Sequence, residues 1–231
     1  MRINTLENSI AEHQPLPDKI ANFVREAIIV GKLKAGEKIS EAKLADELHI
    51  SRTPIREAIR MLESEGFVSI IPRRGTIVSE FSIEDLYEYF QIKACIEGFA
   101  AGGAAEAMGE RELNKLRRLN EDEVKAVNEG DFTQFLRIHD EFHQTFLQKT
   151  PNRKLLGLIQ HMGYHIRRLE KVFTDHPEVF ICCSDTHKDL IAAFEARDGR
   201  KAREIVERNI LHIAENLKRY GTTDSQENDK T

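Results

Sequence analysis

The chain has 231 residues, of which 40% are hydrophobic and 32% charged, with 34 Lys and Arg against 39 Asp and Glu. This length suffices for one large or two small domains, and no apolar run approaches the roughly 18 to 20 residues that span a bilayer. Three cysteines, two of them adjacent, exclude a disulfide framework and a zinc ribbon. We therefore expect a soluble protein of the reducing cytoplasm, without a membrane partner.

The net charge of −5 is unevenly distributed along the chain. Residues 1–80 contain 12 basic and 12 acidic side chains, so the acidic excess lies entirely in residues 81–231. A neutral first part with clustered arginines can still bind DNA, because reading a groove requires a basic face and not a basic protein.

Helical periodicity begins near Leu16, after an N-terminal extension of residues 1–15. Gly31 interrupts this first helix, Ser40 opens a second one, and Ser51 is a favourable N-cap for a third. The three segments predict a helix followed by a helix-turn-helix.

The period of the apolar pattern changes after Gly66. Hydrophobic residues then alternate with a period of two on both sides of a turn that ends at Gly75, which predicts a hairpin. Together with the preceding helices, this hairpin predicts a winged helix-turn-helix domain over residues 16–79.

The sequence pattern of the remainder of the chain predicts helices. Ser82 and Asp85 have the spacing of a capping box, and turn residues divide the sequence that follows into six or seven helices. We expect a mainly α fold, with an antiparallel all-α bundle over residues 80–220 and a polar, disordered tail over residues 221–231.

The third helix carries the candidate DNA-reading face. Arg52, Arg56 and Arg60 lie about 40° apart, beside the apolar stripe of Ile55 and Ile59. Guanidinium groups on the second helix of a helix-turn-helix can pair with guanine edges in the major groove or with phosphate. The alternative is a solvated face paired with neighbouring glutamates. Further candidates, beside the helix N-terminus or at the hairpin tip, are Ser51, Thr53, Arg73, Arg74 and Gly75.

A family resemblance is carried by the stretch LADELHISRTPIREAIRMLESEGFV and the following PRRG. This sequence resembles the DNA-binding domain of the GntR family of bacterial transcriptional regulators. The resemblance implies that Arg52, Thr53 and Arg56 contact double-stranded operator DNA and that Gly75 lies at the wing. A family position that is often basic, in the helix before the turn, corresponds here to Ala42.

The helical remainder resembles the effector-binding FCD domain of the FadR subfamily. That resemblance implies an antiparallel bundle around a ligand cavity and a homodimer. In many members, an Asp or Asn and a His on one helix hold a metal ion with two later histidines. The corresponding residues here are His139, His143, His187 and Asn209, with Asp140 as an alternative to His139.

Helical periodicity places these four residues in apolar stripes that face the bundle interior. Such groups require hydrogen bonds, water or an ion, and neutral imidazoles suit a divalent metal such as Zn(II) or Ni(II). The alternatives are a water-filled polar cavity or satisfied core histidines without metal. We expect the unsupported histidines on the surface or on helix faces; these are His161, His165 and His176.

The effector is expected to be a small organic acid. The family usually carries an arginine four residues before a glutamate in the first helix of this domain, and Lys93 and Glu97 occupy these positions. Lys93 could pair with an effector carboxylate as a point charge. The alternative is a lysine that snorkels at a domain or dimer interface.

The expected function is a ligand-responsive transcriptional regulator, more often a repressor, acting as a cytoplasmic homodimer. One alternative is a metal-free regulator with a hydrogen-bonded or acyl ligand. Another is a His-rich helical metalloenzyme; against it, the sequence shows no nucleophile motif, and only Asp140 and Glu141 stand near the histidines as candidate bases.

Overall fold

The computed structural model of the chain describes the backbone of residues 14–168 and 183–228, and the side-chain environments of residues 14–168 and 185–218. The chain divides between Phe81 and Ser82 into two compact units. Each unit is described by itself below.

The first unit consists of helices and a small antiparallel sheet. The elements are α1 (Leu16–Ile29), β1 (Lys38–Ile39), α2 (Glu41–Leu48), α3 (Arg52–Ser64), β2 (Val68–Ile71) and β3 (Gly75–Val78). The sheet order is β1-β3-β2, so the central strand of the three is the second arm of the predicted hairpin.

The strand β1 was absent from the sequence prediction. It has only two residues, which is too short for any alternation of apolar and polar side chains to be recognised. Its pairing with β3, in which Lys38 lies opposite Ile77, depends on a contact between distant parts of the chain.

The core of the first unit is formed mainly by α1 and α3. Ile20 and Val24 of α1 and Ile55 and Leu62 of α3 are each at most 1% exposed, as their three- and four-residue spacing predicts. A buried charge lies beside this apolar core, because Arg25 is only 3% exposed.

The second unit is helical throughout its described part. The capping box at Ser82 is confirmed, since its hydroxyl accepts from the backbone N–H of Asp85 and the Asp85 carboxylate accepts from the Ser82 N–H. The predicted class, a winged helix-turn-helix followed by a helical bundle, is confirmed. The α-helices are α4 (Ile83–Ala104), α5 (Glu110–Glu129), α6 (Phe132–Leu147), α7 (Arg153–Arg167), α8 (Cys183–Glu195) and α9 (Gly199–Asn228).

Small residues let α4 and α9 approach each other closely. A Cβ atom at Gly199 would lie 2.6 Å from the carbonyl oxygen of Gly102, and one at Gly98 would collide with the side chain of Glu207. Glycine at these positions thus permits the extensive packing of the first helix of the unit against the last.

The end of the chain differs from the prediction. Helix α9 continues to Asn228, whereas composition alone suggested a disordered tail from Gly221 onward. Once a helix is nucleated, each further residue adds a local hydrogen bond, so polar residues can extend it without apolar anchors. Within the described residues, we find no helix whose length and hydropathy would allow it to cross a membrane.

Candidate DNA-binding face and histidine cluster

A tight turn connects α2 and α3. The Ser40 hydroxyl caps α2 by accepting from the backbone N–H of Lys43 at 3.3 Å, and the C-cap residue after Leu48 is His49, whose φ of 55° lies in the left-handed region. The Ile50 N–H then donates to the Ala45 carbonyl at 3.1 Å. Only three residues, 49–51, separate the end of α2 from the start of α3, as a helix-turn-helix requires.

The predicted arginine stripe on α3 is exposed, and the apolar stripe beside it is buried. Arg52, Arg56 and Arg60 face solvent, whereas Ile55 and Ile59 are at most 1% exposed. Ser51 and Thr53 are also exposed, at the N-terminal end of the helix.

One arginine of the stripe is paired, although with an acid on another helix. The Arg56 Nε donates to Glu41 of α2 at 2.9 Å, while the Glu63 carboxylate accepts from the Ile70 backbone N–H. An exposed ion pair of this kind contributes about 1 kcal/mol or less, so a phosphate or a base edge can replace the carboxylate.

The wing presents further basic groups. Arg73 and Arg74 are exposed at the tip between β2 and β3, and Gly75 has a φ of 91°, which favours glycine. A Cβ at Gly75 would lie 3.2 Å from the Cε of Lys38. Lys38 is therefore a basic residue beside the wing that sequence reasoning missed, because β1 itself was not predicted.

Three histidines converge in the second unit. His139 and His143 lie one turn apart on α6, His187 comes from α8, and one ring nitrogen of each lies within 4.8 Å of the others. His143 and His187 are 6% and 1% exposed, and His139 is half-buried. The interior orientation that helical periodicity predicts for these residues agrees with their burial.

Two buried glutamates hold the histidine rings. The Nδ1 of His143 lies 2.9 Å from the Glu97 carboxylate of α4. One carboxylate, that of Glu123 on α5, accepts from both His139 at 3.1 Å and His187 at 2.7 Å. Each Nδ1 therefore faces a carboxylate, the arrangement that fixes the tautomer of metal-binding histidines.

The protonation states of these groups are complementary. Burial lowers the pKa of His143 to about 3 and also lowers that of His187. Burial alone would raise the pKa of Glu97, but the Lys93 ammonium and the hydrogen bond from His143 outweigh it, and the result is a pKa of about 2. Glu123 is likewise lowered to about 2, since hydrogen bonds from its two histidines outweigh its burial. The neutral imidazoles of His143 and His187 thus donate to ionised carboxylates.

The donor set fits a divalent metal. Within the described part of the chain, the Nε2 atoms of His143 and His187 are buried and have no hydrogen-bond partner. A neutral imidazole that donates from Nδ1 has its lone pair at Nε2, which is the form that coordinates Zn(II). His139 stands where many members of the resembling subfamily carry a carboxylate ligand. The two buried glutamates supply negative charge beside the histidines in its place.

The other polar residues that the sequence analysis singled out in the bundle differ in burial. Asn209 is buried on α9, and its role as a fourth ligand stays a prediction. Asp140 is exposed and does not belong to the histidine group. His161 is exposed as predicted, but the surface prediction for His165 is wrong: it is 5% exposed and stacks on Tyr89 at 4.7 Å. His176 lies outside the described residues.

A cavity of about 700 Å³ adjoins the histidine cluster. His139, His143, Lys93 and Glu97 line one part of it, and Lys93 forms an ion pair with Glu97 at 2.7 Å. Apolar side chains of α7 and α9 line another part, among them Ile159, Met162, Ile166, Ile210 and Ile213.

The sequence analysis missed Glu123, although a signal was present. Leu116, Leu119, Glu123 and Ala126 recur at three- and four-residue steps on one face of α5, and all are buried. An acid inside an apolar helical stripe indicates a partnered buried charge. Its partners, from α6 and α8, could be identified only in the folded chain.

Comparison with known proteins agrees with this architecture. Residues 16–78 match the gntR family of bacterial regulatory proteins, and residues 88–212 match the FCD domain. An uncharacterized HTH-type transcriptional regulator of Bacillus subtilis, YdhC, is 28% identical over 85% of this chain and 88% of its own. The HTH-type transcriptional repressor RspR of Escherichia coli is 24% identical over 93% of this chain and 94% of its own.

A solved structure supports the fold in the same way. The E. coli protein McbR/YncC matches with a TM-score of 0.63 at 22% identity, over 90% of this chain and 99% of that one. The FCD match alone covers more than half of the chain. The chain thus belongs to the FCD-domain family and carries an N-terminal DNA-binding domain of the gntR family, and it is a ligand-responsive, DNA-binding transcriptional regulator and not an enzyme.

Proposed function

We propose that this regulator is a cytoplasmic homodimer of the FadR subfamily that represses transcription until a small organic acid binds in its helical unit. The histidine cluster carries this proposal, because two of its three carboxylate-supported imidazoles, those of His139 and His143, line a cavity that also contains Lys93. The name of the E. coli relative RspR, a transcriptional repressor, favours repression.

Operator recognition is assigned to the exposed face of the first unit. Arg52 and Arg56 read base edges or grip phosphate from α3, and Ser51 and Thr53 add hydroxyls beside the helix N-terminus. Arg73 and Arg74 contact the backbone or a minor groove from the wing, where Gly75 forms the turn.

Operator binding tests this assignment. A binding site is selected from random duplex DNA with the wild-type protein, and affinities are then measured at fixed salt. Arg52→Ala and Arg56→Ala should each weaken binding by about 1 to 3 kcal/mol if each contacts a base edge. Arg60→Ala, from the following turn of the same face, is the matched control and should have a smaller effect. Unchanged affinity in both test variants, with the fold intact, would refute the assignment.

The homodimer is supported by large apolar side chains that are exposed on the second unit. Ile92 and Phe99 of α4 are 51% and 52% exposed, and Leu211 of α9 is 39% exposed. A second copy of the chain would cover these side chains and present two recognition helices to the half-sites of a palindrome.

A divalent ion would be held by His139, His143 and His187, with the Asn209 oxygen as a weaker fourth ligand. Imidazole donors favour Zn(II) or Ni(II) over Mg(II) or Ca(II). Such an ion supplies a Lewis-acidic position for an effector carboxylate, while Lys93 offers a second positive charge from the cavity wall.

Metal content tests the site directly. The untagged protein is purified without chelator, and metal per chain is measured by elemental analysis. We expect near-stoichiometric metal in the wild type and a large loss in His143→Ala and His187→Ala, with no loss in the exposed control His161→Ala. Failure of the wild type to bind Zn(II) or Ni(II) after reconstitution would refute the metal site and favour a metal-free regulator.

A further inference from the structure

One carboxylate contacts both the lysine of the cavity wall and a histidine of the cluster. The Lys93 Nζ lies 2.7 Å from the Oε1 of Glu97, and the Oε2 of the same carboxylate lies 2.9 Å from the Nδ1 of His143. The Glu97 side chain is 3% exposed, whereas that of Lys93 is 21% exposed and lines the cavity. A charge placed in the cavity can therefore act on His143 through a fully desolvated group.

The other glutamate of the cluster, Glu123, does not contact Lys93. The Glu123 side chain is fully buried, its hydrogen bonds are with His139 and His187, and among the described residues it does not line the cavity. The two carboxylates thus both accept from the Nδ1 of their histidines, but within the described residues only Glu97 also contacts Lys93, the cation of the cavity wall. This difference provides an internal control.

On the basis of the metal site proposed above, we infer that Glu97 is a positioning residue that couples the charge at Lys93 to the metal affinity of His143. A carboxylate that accepts from Nδ1–H makes the imidazole a stronger donor to the ion. The Lys93 ammonium draws negative charge away from that carboxylate and weakens this effect. An anion that neutralises Lys93 therefore strengthens metal binding, even if the anion does not touch the ion.

Thermodynamic linkage makes this coupling reciprocal. If an anion at Lys93 raises the affinity for the metal, the metal raises the affinity for the anion by the same factor. Metal and acidic effector would then bind with positive cooperativity. Direct repulsion between Lys93 and the ion would also weaken metal binding, but it would act independently of Glu97.

A double-mutant cycle separates the two routes. Zn(II) affinity of the full chain is measured by competition with a chromogenic chelator for the wild type, Lys93→Met, Glu97→Gln and the double variant. Glu97→Gln should weaken Zn(II) binding by about 10- to 100-fold. Lys93→Met should strengthen it by about three- to tenfold in the wild-type background and less than about twofold in the E97Q background.

Control variants exclude a general structural effect. Lys93→Met should keep its full effect in the E123Q background, because Glu123 does not contact Lys93, and Lys93→Arg, which retains the cation, should leave the affinity near that of the wild type. The d–d absorption of bound Co(II) should shift in Lys93→Met but not in Lys93→Arg. Circular dichroism verifies each fold, and Glu97→Asp, whose shorter carboxylate cannot reach both partners, replaces Glu97→Gln if the latter does not fold.

Three results would overturn the inference. Equal effects of Lys93→Met in the wild-type and E97Q backgrounds would show that the charge acts directly on the ion. Wild-type affinity in Glu97→Gln would show that the carboxylate does not act on His143. In both cases the wild type still binds Zn(II), so the proposed metal site survives, whereas a wild type that binds no Zn(II) overturns the site and the coupling together.

Discussion

The two units of this protein differ in what they bury. Among the described residues of the winged-helix unit, the buried polar or charged side chains are Arg25 and Thr76. The helical unit buries two glutamates and several histidines in the middle of its bundle; these include Glu97, Glu123, His143 and His187. Burying ionisable groups costs stability unless they are mutually satisfied, and these groups hydrogen-bond one another. On the function proposed above, the first unit acts at its surface and the second in its interior.

The largest expected effect concerns the packing of the histidine cluster. The Phe142 side chain is fully buried, and its ring stacks on that of His187 with centroids 3.8 Å apart. Phe142→Ala should lower the free energy of unfolding of the helical unit by about 3 to 5 kcal/mol, because it leaves a cavity and releases the His187 ring. Denaturant unfolding measures this change. Leu158→Ala, at a position that is 55% exposed, is the control and should change stability little.

A second prediction tests the buried charge of the winged-helix unit. The Nε and a terminal nitrogen of Arg25 donate to Glu65 at 2.9 and 2.6 Å, and the side chains are 4% and 15% exposed. Glu65→Ala should destabilise this unit by about 3 kcal/mol, since a desolvated guanidinium loses its carboxylate. Hydrogen exchange resolved by residue should show the loss of protection in α1 and α3. Glu41→Ala removes the exposed partner of Arg56 and should have little effect; equal effects would contradict the assignment of burial as the cause.

The third prediction concerns the pH dependence of stability that the buried histidines give to the helical unit. Because the pKa of His143 is lowered to about 3 in the folded protein, its contribution to stability is present above the unfolded value of 6.5 and is lost as the pH falls below that value. Between pH 7 and pH 5, this histidine alone should lower the free energy of unfolding of the metal-free protein by about 2 kcal/mol. His187 changes in the same direction.

The two glutamates act at lower pH. Their pKa values of about 2 lie below the unfolded value of 4.5, so their contribution is present above pH 4.5 and is lost as the pH falls toward 2. Chemical denaturation at pH 7, 6 and 5, with chelator present, measures the first change. The variant His143→Gln should show a smaller pH dependence than the wild type, and an identical dependence would contradict the role of His143.

Much of the fold could be predicted because its patterns are local. The exposed arginines and buried isoleucines of α3 follow directly from a period of 3.6 residues, and the capping box at Ser82 follows from two residues three positions apart. The inward positions of His143, His187 and Asn209 were also predictable, since each lies in an apolar helical stripe whose buried side the structure confirms.

The remaining features depend on contacts between distant segments. The strand β1 exists only because β3 pairs with it, and Lys38 reaches the wing for the same reason. His165 lies in the interior because Tyr89 of another helix stacks on it, a contact that no pattern within α7 indicates.

The sequence by itself determined the order of the first three helices and the hairpin, the buried face of the helices with a regular apolar stripe and the residue types available for DNA binding and for the proposed metal site, because these depend on the spacing of residues along one helix or strand. Only the tertiary structure decided which glutamate pairs with which histidine. Glu97 and Glu123 lie 46 and 64 residues from His143 and His187, and only the packing of four helices brings them within hydrogen-bond distance. The pairing of Lys93 with Glu97 was visible in their four-residue spacing, but its connection to His143 arises from the fold alone.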